Sequence, residues 1–123
     1  MAIVRKAEAP VFHLPGLTVV GLASPRRGAK ETCVWQIELA PGTPGVPHRV
    51  TREEVFVAVA GTATATLGGE EHRLGPGDAL LVPRDTLFAL SNPSDSPFEA
   101  VVSFPVGGQA ITRDGLLTPP WAE

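Results

Sequence analysis

Residues 47–61 read PHRVTREEVFVAVAG, setting one imidazole (His48) and two carboxylates (Glu53, Glu54) directly ahead of an apolar run that closes on Gly61. Imidazole and carboxylate support two kinds of chemistry. They pass protons near neutrality once their surroundings shift their pKa values, and both are donors to transition metals. Either use requires His48 and Glu54 to meet. Glu54 lies six positions after His48, about 20 Å of extended chain, so the backbone has to reverse across residues 49–52.

The element that carries Glu54 can be read in two ways. Thr51 with Glu54 three positions later fits a helix capping box, and Gly61 would sit at the C-terminal cap. Against that, valine alternates through VFVAVA, β-branched side chains favour strands, and TATATL then runs into Gly68-Gly69 as a hairpin would. The strand is the better reading. It places Glu54, Phe56, Ala58 and Ala60 on one face and Val55, Val57 and Val59 on the other, with Glu53 turned to solvent. Burial beside phenylalanine raises a carboxyl's pKa and a neighbouring imidazolium lowers it, so the direction for Glu54 stays open at this level.

The rest of the chain has the same character. Glycine and proline, 13 each, leave little room for helices. Short runs rich in Val, Thr and Phe (CVWQIEL, EVFVAVA, TATATL, ALLVP, TLFAL, FEAVVSF) are separated by PGTPG, GGEE, GPGD and NPSDSP, the pattern of an antiparallel sandwich or barrel. A Pro-interrupted leader (1–29) precedes a core of about residues 30–104. An irregular tail (105–123) ends in TPPWAE, where Trp121 is placed to pack the tail on the body. The 123 residues fit one domain, and 43% hydrophobic with 19% charged residues is a globular composition.

Composition also excludes partners. A net charge of −3 with scattered basic residues offers no field for nucleic acid. No stretch is apolar enough to span a bilayer and the N-terminus has no signal-type apolar segment, so a cytoplasmic location is expected. Cys33 is the lone cysteine and reads as a buried small hydrophobe. Arg26, Arg27 and Lys30 read as a solvated loop.

With those elements in place, the sequence resembles the cupin family. The first cupin motif (Gly, five residues, His, one residue, His, three or four residues, Glu, six residues, Gly) is matched by Gly42, His48, Glu54 and Gly61, with Val50 where the second histidine belongs. The second motif is matched by Gly77, Pro83 and Asn92, with Asp85 in place of its inner glycine and Phe88 in place of its histidine. The resemblance implies an all-β fold, a single antiparallel cupin-type β-barrel or jelly roll, and often a homodimer.

The departures bear on function. Metal-binding cupins hold one ion with three histidines and the glutamate, whereas here the four positions are His48, Val50, Glu54 and Phe88. Two protein donors are fewer than the about three that catalytic metal sites use, so no cofactor is expected; if one is present, it is a single divalent transition metal (Fe, Mn, Ni or Zn) on His48 and Glu54. His13 and His72 read as surface residues but are the further donors such a site would recruit. A drier pocket is expected instead, lined by Trp35, Val50, Phe56 and Phe88, in which His48 and Glu54 are the candidate catalytic acid/base pair. The leading expectation is a barrel that holds a small organic molecule, with metal-independent isomerase- or lyase-type chemistry. A metal-dependent oxygenase or isomerase, and a non-catalytic ligand sensor or structural dimer, are the alternatives. Whether the chain is an enzyme stays open in the sequence.

Overall fold

In a computed structural model that describes residues 2–123, alternation of apolar and polar residues has produced twelve strands. They are β1 (Val11–Leu14), β2 (Leu17–Ala23), β3 (Thr32–Leu39), β4 (Arg49–Val50), β5 (Glu54–Ala60), β6 (Ala63–Leu67), β7 (Glu70–Leu74), β8 (Ala79–Val82), β9 (Phe88–Ser91), β10 (Phe98–Pro105), β11 (Ala110–Thr112) and β12 (Gly115–Leu117). The only helical pieces among the described residues are three short 3₁₀ turns. Residues 54–60 are a strand, so the capping-box pattern at Thr51 and Glu54 does not start a helix. No helix is long and apolar enough to cross a membrane.

All strand pairs are antiparallel. A six-stranded sheet runs β1-β2-β3-β10-β5-β8, and two three-stranded sheets run β7-β6-β9 and β12-β11-β4. The hydrogen-bonded ladder does not close on itself, so the fold is an open antiparallel jelly roll and not a continuous barrel. The Pro-interrupted leader supplies β1 and β2, and the tail supplies β11 and β12. This is more regular structure than their composition promises: the leader's strands pair with each other and with the next strand, β3, whereas the tail's β11 pairs with the distant β4.

Turn chemistry sets the register. Gly68 and Gly69 both have positive φ (57° and 89°), as a two-residue hairpin between β6 and β7 requires. At Gly61 (φ 72°) a side chain would collide with the Pro97 carbonyl. Asp85, standing where the cupin motif has glycine, is left-handed at φ 63° and donates its N–H to the Val50 carbonyl (2.8 Å). A short polar side chain tolerates that conformation better than most, which explains how the glycine could be replaced.

The inward faces build the core in registered rows: Trp35, Val102 and Phe56 across β3-β10-β5, then Ile37, Ala100 and Ala58. Ala63, Ala65, Leu74 and Phe88 complete it from the β7-β6-β9 side. Asn92 is wholly buried and acts as a tie: its amide donates to the carbonyls of Leu39 (3.0 Å) and Ser96 (2.8 Å), and its Oδ1 accepts from the N–H and hydroxyl of Ser94. Trp121 packs the tail against Phe12 and Trp35, with ring centroids at 5.9 and 6.2 Å. Cys33 is fully buried beneath the tail, its thiol 3.7 Å from the Ala122 carbonyl, and burial pushes its pKa up.

Candidate functional site

His48 is positioned by backbone pairing. It exchanges two hydrogen bonds with Phe88 (both 3.0 Å), and residues opposed in this way direct their side chains to the same face. The imidazole consequently lies against the Phe88 ring, centroids 4.4 Å apart and planes at 51°. Phe88 in turn meets Phe56 edge-on at 5.9 Å. Phe56 is two residues beyond Glu54 on the inward face of β5, and Glu54 is paired across the sheet with Val82 of β8.

The reversal anticipated between His48 and Glu54 is therefore present, with residues 51–53 forming the bend between β4 and β5. No hydrogen bond or ion pair joins the side chains of His48 and Glu54 among the described residues. Phe88 meets His48 on one side and Phe56 on the other, so hydrocarbon occupies the position where the cupin motif has its last histidine.

Glu54 is 6% exposed and receives no hydrogen bond among the described residues. Desolvation alone pushes its pKa up to about 8, because a charged carboxylate among apolar side chains loses hydration and gains nothing in return. Its oxygens are not fully sealed. The one fully enclosed, unpartnered side-chain polar atom among the described residues is Trp121 Nε1, so the carboxyl keeps a narrow contact with solvent. His48 is half-buried, with Nδ1 2.9 Å from the Val46 carbonyl. A carbonyl can only accept, so that bond puts the proton on Nδ1 and leaves Nε2 as a free acceptor.

This donor set does not fit a transition metal. Val50 (2% exposed) and Phe88 (2% exposed) contribute only carbon, and no three His, Cys, Asp or Glu side chains converge among the described residues. The further histidines are elsewhere. His13 is exposed on β1, opposite Thr18, and its neighbour Phe12 is the residue of that strand that packs on the core. His72 is exposed on β7, 3.5 Å from Glu70.

Of the expected pocket residues, Val50, Phe56 and Phe88 belong to the buried group around the site. Trp35 belongs to the same buried core; it is 3% exposed and packs on Phe104 (6.0 Å) and Trp121, with Val102 between it and Phe56 in their row. Two residues carry more than the sequence indicated: Val82, the cross-strand partner of Glu54, and Asn92, whose buried amide ties Leu39 to Ser96. Two open surface grooves, of about 270 and 330 Å³, lie away from His48 and Glu54, one beside Thr64, Arg73 and Ser94 and the other beside Leu14, Glu38 and Pro41.

Comparison with known proteins agrees with this fold. Solved structures similar to this chain include the polyketide cyclase RemF from Streptomyces resistomycificus (19% identity, TM-score 0.75, covering 85% of this chain and 79% of that one). Another is KdgF from Halomonas sp. (24% identity, TM-score 0.68, 84% and 93%). A third is salicylate 1,2-dioxygenase from Pseudoaminobacter salicylatoxidans, solved with gentisate (21% identity, TM-score 0.66), where the match covers 76% of this chain but 26% of the enzyme. At these identities the likeness establishes fold and no more. No curated protein matches the sequence. The cupin domain model matches residues 35–104, which span β3 to β10 and hold His48, Glu54 and Phe88, and the chain belongs to the cupin family.

Proposed function

We propose that this cupin binds a small organic molecule at the mouth beside His48 and Glu54 and handles a proton there without a metal. The observation that carries the reading is Glu54: a carboxyl 6% exposed, unpaired, facing Val82 and sharing its face with Phe56, yet still touching solvent. Structural proteins rarely retain an uncompensated buried acid, since its burial costs stability, and such groups concentrate where proton transfer is needed. The fold neighbours support the reading in kind, as their names are those of proteins acting on small organic compounds, a polyketide cyclase and a salicylate dioxygenase among them.

The chemistry follows from the two protonation states. Neutral Glu54 donates its proton to a ligand oxygen, such as a carbonyl, while Nε2 of His48 accepts one from an adjacent carbon. The net result is a proton moved from carbon to oxygen, and its return at another carbon gives an isomerisation. The hydrocarbon around Glu54 excludes competing water. Because Phe56, Phe88 and Phe98 fill the interior, the ligand seats at the mouth and not deep in the sandwich.

We also assign a homodimer to the outer face of the six-stranded sheet. One registered row, Val11, Val20, Gln36, Val101, Val57 and Ala79, crosses all six strands without a charge, and Val57, Val59 and Leu81 are 40–55% exposed.

The test is a thermal-shift screen of small ketones, phenols and alcohols. A ligand that binds the native state raises the melting temperature; hits are expected whose shift is lost in Glu54→Gln and reduced in His48→Ala. Hits that stabilise both variants as much as the wild type would contradict the proposal.

A further inference from the structure

The charge distribution around the mouth narrows what it can accept. Three polar residues are buried in the described structure, Ser24, Glu54 and Asn92, and of these Glu54 alone is ionisable. None of the ten Lys and Arg side chains is buried. Every strand face that looks inward near Glu54 is hydrocarbon: Phe56 and Ala58 on β5, Leu80 and Val82 on β8, Phe88 on β9. Asn92, the other polar side chain of this half, has its amide and its oxygen committed to Leu39, Ser94 and Ser96.

With His48 neutral, a ligand carboxylate or phosphate entering this site would lose its hydration and meet no lysine or arginine. It would also meet a group that repels it when ionised and offers one hydrogen bond when not. The exclusion holds in either protonation state of Glu54. The cations nearest along the chain, Arg52 in the bend before β5 and Arg84 in the turn after β8, are exposed, as is Arg49, which follows His48 and by alternation points away from it.

What the site does offer is complementary to a neutral molecule. His48 Nε2 is a free acceptor, the Glu54 carboxyl can donate or accept, and the half-buried imidazole is backed by the Phe88 ring at 4.4 Å. We propose that the mouth selects uncharged, mainly apolar molecules bearing a hydrogen-bonding oxygen (alcohols, ketones or amides) and rejects carboxylates and phosphates of the same size.

This rests on the reading of the His48–Glu54 mouth as the binding site, and the experiment separates the two. Benzyl alcohol and benzamide are compared with benzoate, and cyclohexanone with cyclohexanecarboxylate, by ligand-induced amide shifts in NMR titrations of the wild type and of an Arg52→Ala/Arg84→Ala variant. The expected result is that each neutral probe binds at least tenfold more tightly than its carboxylate counterpart in both proteins, with shifts centred on residues 46–56 and 82–88. Carboxylates binding at that same place as tightly as the neutral probes would overturn the selectivity while leaving the site intact. Failure of every probe to move those amides would overturn both.

Discussion

His48 and Phe88 are joined twice over, by a pair of 3.0 Å backbone hydrogen bonds and by ring contact at 4.4 Å. Their backbone geometry is that of two residues meant to present side chains to one point. The side chain at position 88 is a buried phenyl, so the imidazole rests on a hydrophobic floor. The consequences for metal affinity, proton affinity and stability can each be measured.

Supplying histidines at the two motif positions should create a metal site. A Val50→His/Phe88→His variant is expected to bind one Zn²⁺ or Ni²⁺ per chain, at least a hundredfold more tightly than the wild type in calorimetric titration, because four nitrogen and oxygen donors would then share one face. If the double variant binds no better than the wild type, the pair of replacements is not what governs affinity.

The Phe88 ring also holds the core. It is 2% exposed and contacts both His48 and Phe56. Phe88→Ala should cost about 3–5 kcal/mol in chemical denaturation, from lost burial and the cavity left behind. A loss under about 1 kcal/mol would mean that the site collapses freely around the gap.

Stability should fall as pH rises through the range set by Glu54. Its folded pKa, about 8, lies above the ordinary value of 4.5, so between these the folded state holds a proton that the unfolded state has released. Stability is full below pH 4.5, declines from there to about pH 8 and levels off above it. The total for this group is on the order of 5 kcal/mol at most. Urea denaturation at pH 5 and pH 9 should show this decline in the wild type and a much smaller one in Glu54→Gln. Parallel pH profiles for the two proteins would exclude Glu54 as the source.

Asn92→Ala should destabilise without touching the site. It strands the Leu39 and Ser96 carbonyls, and leaving a buried polar group unpaired costs roughly 1–3 kcal/mol each. Equilibrium unfolding gives the cost, and ligand-induced shifts at His48 should persist. Loss of those shifts in a folded Asn92→Ala protein would mean that the tie also positions the site.

Much of this architecture could be read from local signals. The alternation in VFVAVA, Gly68-Gly69 and the spacing of Gly42, His48, Glu54 and Gly61 each report a turn or a facing, and these depend on neighbours close in sequence. Other features depended on distant contacts. Trp35 looked like a pocket wall because its strand parity is inward; it became core because the tail brings Trp121 onto it from 86 positions away. Likewise, the stacking of His48 on Phe88 follows from the pairing of residue 48 with residue 88, which no local pattern encodes. The leader's strands were obscured by its prolines, which lie outside β1 and β2 at positions 10, 15 and 25.

The most direct measurement is the titration of the Glu54 carboxyl itself, followed by ¹³C NMR from pH 4 to pH 10 and assigned by its disappearance in Glu54→Gln. A midpoint near 8, unaffected by chelators, is the predicted result. A midpoint at the ordinary carboxylate value of 4.5 would show a hydrated or charge-paired group and would contradict the proposal of a buried, metal-independent acid.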